Sequence, residues 1–554
     1  MSTVAILYPA KTVITMDPAQ PRATAILVDG DQIVAVGAFA DLHSADVLVD
    51  DTFADAVVCA GFIDQHLHPV LGATTLVTDV IATEDWALPG RFCPAATSPQ
   101  DYRQRLADAE QRTAPGDWLF SWGYHRLWHG ELDREVLDGI STARPIAVWQ
   151  RSCHEWFLNT TAIEALGITA DSMAGHGPAS AMVDVAAGHW WESGMNLLLP
   201  RLAPIFMTAD RIAAGLRQMV AYLHGNGVTG FNEPGIMWDI EPWPLYQQIL
   251  GDADTPFLST FLVDARSQAD AGMDPAEAVA DAEAQVARAA TGKVRLLPKQ
   301  VKLFADGAII SQLMQMREPY LDDAGQPDLC HHGEWMMQPD TFRAFARVYW
   351  EANWQLHIHV NGDAALDLVL DTVEECMATH PRTDHRTVIV HFANAHEDQI
   401  DRIAALGCIV SANSYYPVGF ADKYAAHGLG PRRADAMVRS ASVLQRGIPL
   451  SFHSDLPMGP ADPLTLAWCA VNRLTPSGRV AGPEQRISVH DALRAVTIEA
   501  AFSWRMEHEL GSITAGKAAN FTVLSEDPYE VDPQRLNQIP VLGTVYGGRW
   551  FPAD

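Results

Sequence analysis

Two histidines one residue apart, His66 and His68 in GFIDQHLHPV, put two imidazole nitrogens within reach of a single metal ion. The run before them, VVCAGFID, has the composition of a strand, and side chains two apart on a strand point the same way. Both rings are expected on one face at the strand's C-terminal end. WQLHIHVNGDAALD repeats the spacing with His357 and His359, His357 lying roughly 6 to 7 Å deeper at about 3.3 Å per residue. His359 is read as a ligand; His357 is left between a core histidine, a support for the ligands and a substrate contact. TVIVHFANAH closes a buried-type strand on His391, a further ligand position, with His396 at the start of the next helix. IPLSFHSDLPMGP ends another on Asp455, ahead of a Pro and Gly turn, with His453 two residues earlier as a structural neighbour or substrate contact. A carboxylate in that place can bind a metal and take a proton from water, which makes Asp455 the candidate general base.

Imidazole nitrogens and a carboxylate form a donor set suited to Zn²⁺, Mn²⁺ or Fe²⁺, and no thiolate lies in these motifs. Such an ion acidifies water and polarises a carbonyl, so the expected chemistry is hydrolysis on one or two divalent ions, zinc first. LPKQVKLFADG adds Lys302, on a strand face with Phe304 and Asp306. An ammonium in the same cavity would be repelled by the metal, so Lys302 lies away from it or loses its charge. Burial lowers a lysine's pKa, and the neutral amine can take up CO₂ to become an anionic carbamate that bridges two metals.

These residues need strand ends to carry them. Between the motifs the chain alternates strand-like and helical patterns in a βα rhythm that indicates a parallel sheet or barrel, and barrel sites form at the C-terminal strand ends. Helices are expected at 207–225, 275–290, 339–354, 364–378, 396–407 and 488–504, several of them starting at Thr, Asp, Ser or Pro. Residues 1–58 alternate β-rich runs with Gly and Asp turns, VDGDQIVAVG reading as a hairpin, and 506–554 have the same texture. Both ends are therefore expected to build one small sheet domain around a domain spanning 59–505. Residues from about 80 to 200 interrupt the rhythm, are rich in Trp, Pro and Gly, and read as a large insertion or lid.

The totals bound the answer. The 554 residues suffice for a large barrel with additions, and 48% hydrophobic with 19% charged residues argues against a disordered or fibrous protein. A formal charge of -30 argues against nucleic acid or an anionic membrane surface as partner, leaving a small-molecule substrate. No secretory signal pattern opens the sequence, and no run reaches the roughly 18 to 20 apolar residues of a spanning helix. Seven cysteines without CxxC spacing read as buried thiols in a reducing cytoplasm. A homodimer is compatible with all of this.

Taken in order, GFIDQHLH, VKLFADG, HIHVNGD, VIVHFAN and FHSDLPM resemble the amidohydrolase superfamily, and within it the YtcJ-like branch that includes N-substituted formamide deformylases. DGDQIVAVG and GSITAGKAANFTVL look like that superfamily's small β-sandwich, so the resemblance spans essentially the whole chain. It implies an α/β fold, a (β/α)8 TIM barrel carrying a β-sandwich formed by both termini. It also implies that His66 and His68 bind the more buried metal, that a carboxylated Lys302 bridges, that His359 and His391 bind the second metal, and that Asp455 is the metal-associated acid/base. RPIAVWQRSCHEWFLNTTAI resembles the branch's segment near the pocket and makes His154 a candidate substrate contact. The sequence departs from the branch where Val390, His391 and Phe392 replace a frequent Glu-His-Ala, where Asn520 replaces an Asp, and where Glu233 stands in GVTGFNEPG. Glu233 is read as a substrate contact or as the ion-pair partner of a neighbour. The implied reaction is hydrolysis of a C–N, amide-type bond in a small apolar or aromatic compound. Ester or lactone hydrolysis and single-metal deamination are the alternatives; Lys302 weighs against deamination, and the full set of ligands weighs against a non-catalytic scaffold.

Overall fold

The computed structural model describes residues 5–45, 47–236, 242–322 and 324–553; Met1 to Val4 and Asp554, assigned above to the terminal domain, lie outside this set. Eight strands form the central sheet: β1 (Phe62–Asp64), β2 (Val228–Ile236), β3 (Leu258–Asp264), β4 (Val294–Phe304), β5 (Gln355–Val360), β6 (Val388–His391), β7 (Ile409–Ala412) and β8 (Leu450–Phe452). Each pairs in parallel with the next. Strands such as LSTFLVD, QLHIHV and VIVH are buried along their whole length, as a parallel sheet covered by helices requires. No ladder joins β8 to β1 among the described residues. Their ends are tied instead by Ser454, whose N–H donates to Asp64 Oδ1 at 3.1 Å and whose hydroxyl donates to Asp64 Oδ2. The Asp455 N–H adds a bond to the His66 carbonyl at 2.9 Å. These bonds satisfy the fully buried Asp64, whose carboxyl burial pushes up to about 6. The result is a nearly closed eight-stranded barrel, the fold class expected.

Both chain ends build one sheet, in the order Arg549–Pro552, Val541–Tyr546, Phe521–Leu524, Val57–Ala60, Ile6–Ile14, Arg22–Asp29, Gln32–Gly37, with Leu48–Val49 also paired to Ile6–Ile14. The hairpin turns at Gly30, whose φ of +60° suits a residue without Cβ. Asn520, where an Asp is common, accepts the Gly547 N–H at 2.8 Å and so serves the sheet.

Together these parts form one compact unit, Met1–His68, Leu223–Asp455 and Gly459–Asp554; a second comprises Pro69–Tyr222 and Leu456–Met458. The second has a six-stranded sheet and a core that includes Tyr102, Leu106, Leu119, Ile146, Val148 and Phe157. The insertion expected at about 80–200 is thus longer, and it is a domain with its own core. Helices Ala209–Gly225, Pro275–Arg288, Pro339–Glu351, Asp363–Thr379 and Glu397–Leu406 match the expected spans, and His396 caps the last. The span 488–504 is instead two short helices, Val489–Ala495 and Ile498–Ser503, parted at Thr497, whose φ of -136° leaves the helical region and whose hydroxyl bonds the Leu493 carbonyl at 2.6 Å. All seven cysteines are free, but Cys330 is exposed and Cys93 half-buried, contrary to the expectation of uniformly buried thiols. Among the described residues, no helix is long and apolar enough to cross a membrane.

Candidate metal centre

Strand alternation alone does not assemble the site. β1 stops at Asp64, so His66 and His68 lie beyond it, on a segment held where the Leu67 N–H donates to the Asn232 carbonyl at 3.0 Å. The turn, and not a shared strand face, brings His66 Nε2 to 3.3 Å from His68 Nε2. Asp455 likewise lies beyond β8, and its Oδ1 is 3.2 Å from each of these nitrogens. His391 ends β6 opposite Val360, a position of the parity opposite to His359. A left-handed backbone there, φ +74°, turns its ring to 4.3 Å from the His359 ring, centroid to centroid. Asp455 has φ +59°. Such conformations cost about 1 to 3 kcal/mol each in non-glycine residues and persist where the surroundings impose them.

Electrostatics sort the imidazoles into two kinds. Burial holds His66, His391 and His453 well below the ordinary histidine value; Lys302 adds to this at His66 and His453, and His359 and Lys302 at His391. They are neutral donors. Burial would lower His68 too, but the Glu233 carboxylate and Asp455 raise it to about 10, with both Glu233 oxygens 3.0 and 3.2 Å from Nδ1. Burial pushes Glu233 upward as well, so this imidazole and carboxylate hold one proton between them. A register shift between Glu233 and Ile236 marks the bulge that aims Glu233 at His68.

The residues fit a divalent cation. Donors about 2.1 Å from a tetrahedral ion stand about 3.4 Å apart, and His66 Nε2, His68 Nε2 and Asp455 Oδ1 form a triangle with edges of 3.3, 3.2 and 3.2 Å. His66, His391 and His453 form a second close group, their donor atoms all within 4.8 Å. His66 Nδ1 and Lys302 Nζ are buried and have no hydrogen-bond partner among the described residues. Burial drives Lys302 down to about 7, against the pull of Asp455, Glu233 and Asp264, leaving an amine poised to be neutral.

The other candidates fall as follows. His359 lies beside the close groups, its Nε2 3.0 Å from Asn361 Nδ2. His357 is a deep core residue: its Nε2 is 3.0 Å from Gln300 Oε1, and burial lowers it to about 3. His453 joins the group of candidate donors more closely than its reading as a neighbour implied, with Nε2 3.2 Å from His391 Nδ1. His154 belongs to the second unit, where its Nδ1 is 3.1 Å from Glu192. Sequence reasoning missed Gln65 and Ser411, which bond each other and through Ser411 reach His453. Gln65 adjoins a ligand candidate, a hint that was available; Ser411, in an apolar strand, carried no signal.

Residues 54–551 match the amidohydrolase family. The chain is similar over 97% of its length to protein LONG AFTER FAR-RED 3 of Arabidopsis thaliana, at 25% identity and covering 90% of that protein. It is similar over 96% of its length to N-substituted formamide deformylase of Arthrobacter pascens, at 26% identity and covering 96% of that protein. Among solved structures, an uncharacterized metal-dependent hydrolase from Pyrococcus horikoshii OT3 shares the fold, with a TM-score of 0.71 and 19% identity over 96% of this chain and 99% of that one.

Proposed function

The chain belongs to the amidohydrolase family, and from that premise we propose that it is a metal-dependent hydrolase that cleaves the C–N bond of a small, apolar or aromatic amide-type substrate. The observation that carries the reading is the triangle of His66 Nε2, His68 Nε2 and Asp455 Oδ1, whose edges of 3.2 to 3.3 Å suit one ion. These residues would hold one divalent cation, zinc first; His359 and His391 would hold a second. When bound, such an ion polarises the substrate carbonyl and acidifies water. Asp455 directs Oδ1 to the two histidines, and Oδ2 is the oxygen that accepts a proton from the attacking water. The same group returns that proton to the leaving nitrogen as the C–N bond breaks. Lys302, as a neutral amine, would form an N–C bond with CO₂ and release its proton to solvent, and the resulting carbamate anion would be a further donor to the metals. The name of the Arthrobacter pascens relative supports the amide class.

The test is metal analysis of the purified protein followed by a hydrolysis screen over N-acyl amines, formamides, lactones and aminopyrimidines. Bound zinc, turnover of amides, and a loss of about 10²- to 10⁴-fold in kcat for Asp455→Asn are expected. Protein without metal, turnover confined to lactones or aminopyrimidines, or undiminished activity in Asp455→Asn would overturn the proposal.

A further inference from the structure

We propose that Arg266 and Phe304 form a subsite for a carboxylate on the substrate, so that the preferred amide carries an anionic group about one aromatic ring away from the bond that is cut. This deepens the hydrolase reading above and rests on it for placing that bond beside His359. Parallel register sets the row. Asp264, the last residue of β3, pairs with Lys302 on β4, and Phe304 on β4 pairs with His359 on β5. Arg266 lies two residues beyond Asp264 and Phe304 two beyond Lys302, so Arg266, Phe304 and His359 stand at one level across three neighbouring strand ends. The side chains keep that order. The Phe304 ring centroid is 5.4 Å from that of His359, and the Arg266 guanidinium carbon is 5.6 Å from the Phe304 centroid.

Arg266 is held at its base and lightly engaged at its tip. Asp264 accepts the Arg266 N–H at 2.8 Å and the Ser267 hydroxyl at 2.6 Å, which fixes the backbone. The guanidinium lies over the Phe304 ring, and its Nη1 is 4.0 Å from the Met336 sulfur; a ring face and a thioether are weak partners for such a donor. Among the described residues, the carboxylate paired with it is Asp270, at 3.5 Å, with side chains 32% and 68% exposed for Arg266 and Asp270. An exposed pair of this kind is weak and readily exchanged for a ligand. Lys302 Nζ is 5.2 Å from the same ring but fully buried, so of these two cations Arg266 is the accessible one. The chain carries 68 acidic against 38 basic residues, so the protein as a whole repels an anion and a local cation is needed to hold one. The guanidinium supplies it, with paired N–H groups that match a carboxylate, and the half-buried Phe304 offers its ring to the apolar part between carboxylate and amide.

The test pair is N-benzylacetamide and its para-carboxylate, which differ only in the anionic group. Zinc-loaded wild-type protein is expected to favour the carboxylate by about 10- to 100-fold in kcat/KM. Arg266→Met should bring that ratio to about one, and Arg266→Lys, a cation without the planar fork, should keep part of it. Circular dichroism reports folding, and the wild-type ratio tests the subsite even if Arg266→Met does not fold. Binding is read separately by calorimetry with the matching ketones, in which CH₂ replaces the amide N–H and no bond can be hydrolysed. The carboxylated ketone is expected to bind more tightly by the same factor, and less so at high salt. Equal handling of the two compounds by the wild type, or an undiminished ratio in a folded Arg266→Met, would overturn the proposal. Turnover of neither amide would overturn the amide-hydrolase reading, and the ketones would still test the subsite.

Discussion

Glu233 is the residue whose two readings, substrate contact or partner of a neighbour, differ most in consequence. Its carboxylate is 1% exposed and places both oxygens on His68 Nδ1, at 3.0 and 3.2 Å. That contact assigns the hydrogen to Nδ1 and leaves Nε2, the atom facing Asp455 and His66, as the donor to metal. A hydrogen bond to a charged group contributes about 1.5 to 3 kcal/mol and a neutral one about 0.5 to 1.5. Glu233→Gln keeps an acceptor of the same shape, so it loses about 1 to 1.5 kcal/mol, close to tenfold in zinc affinity at about 1.4 kcal/mol per decade. Glu233→Ala loses the whole interaction, about 10- to 100-fold. The assay is zinc competition against a chelator of known affinity, run beside steady-state kinetics with saturating zinc. The expected pattern is graded loss of zinc affinity, Gln milder than Ala, with KM for substrate nearly constant once zinc is restored. Unchanged zinc affinity in both variants together with a raised KM would refute the argument and return Glu233 to the substrate.

Two further outcomes follow from groups held away from their ordinary ionisation. Lys302 falls from 10.5 to about 7 on burial, so in metal-free protein it costs on the order of 4 kcal/mol at pH 7. Because its folded value is depressed, the cost is complete below about pH 7 and vanishes above about 10.5. Lys302→Met should therefore stabilise the metal-free protein to urea at about pH 6, with the gain shrinking toward pH 10, while abolishing metal-dependent activity; equal stabilities at pH 6 would show that the amine is not desolvated. The proton shared by His68 and Glu233 persists to about pH 10 in the absence of metal, so zinc must expel it. Calorimetry in buffers of different ionisation enthalpy should record about one proton released per zinc at that position, with affinity rising about tenfold per pH unit across neutrality. Zero release would mean that His68 is already deprotonated.

The positions of the candidate ligands along the chain were legible because spacing and strand ends are local facts. His66, His68, His391 and Asp455 all sit where a βα rhythm puts the C-terminal ends of strands, and the barrel brings them together. What aims them was not legible. His391 has the wrong parity for the site and reaches it through a backbone angle of +74°, which nothing in VIVHFAN announces. His66 and His68 converge through a turn that the Asn232 carbonyl holds, from a strand more than 150 residues away along the chain (232 − 66 = 166). The same distinction explains why His453 and Glu233 were ambiguous: each was visible as a polar group at a strand end, but the partner that decides its role comes from another strand. In GFIDQHLH and FHSD, the histidines and Asp455 offer donors, while Asp64 and Ser454 tie the ends of β1 and β8 together and Gln65 accepts the hydroxyl of Ser411 on β7. A motif read only for its ligands therefore accounts for about half of its polar residues. The remainder become intelligible once the two strands that carry them are seen to be neighbours, and they are the positions where substitution should disturb metal affinity without removing a ligand.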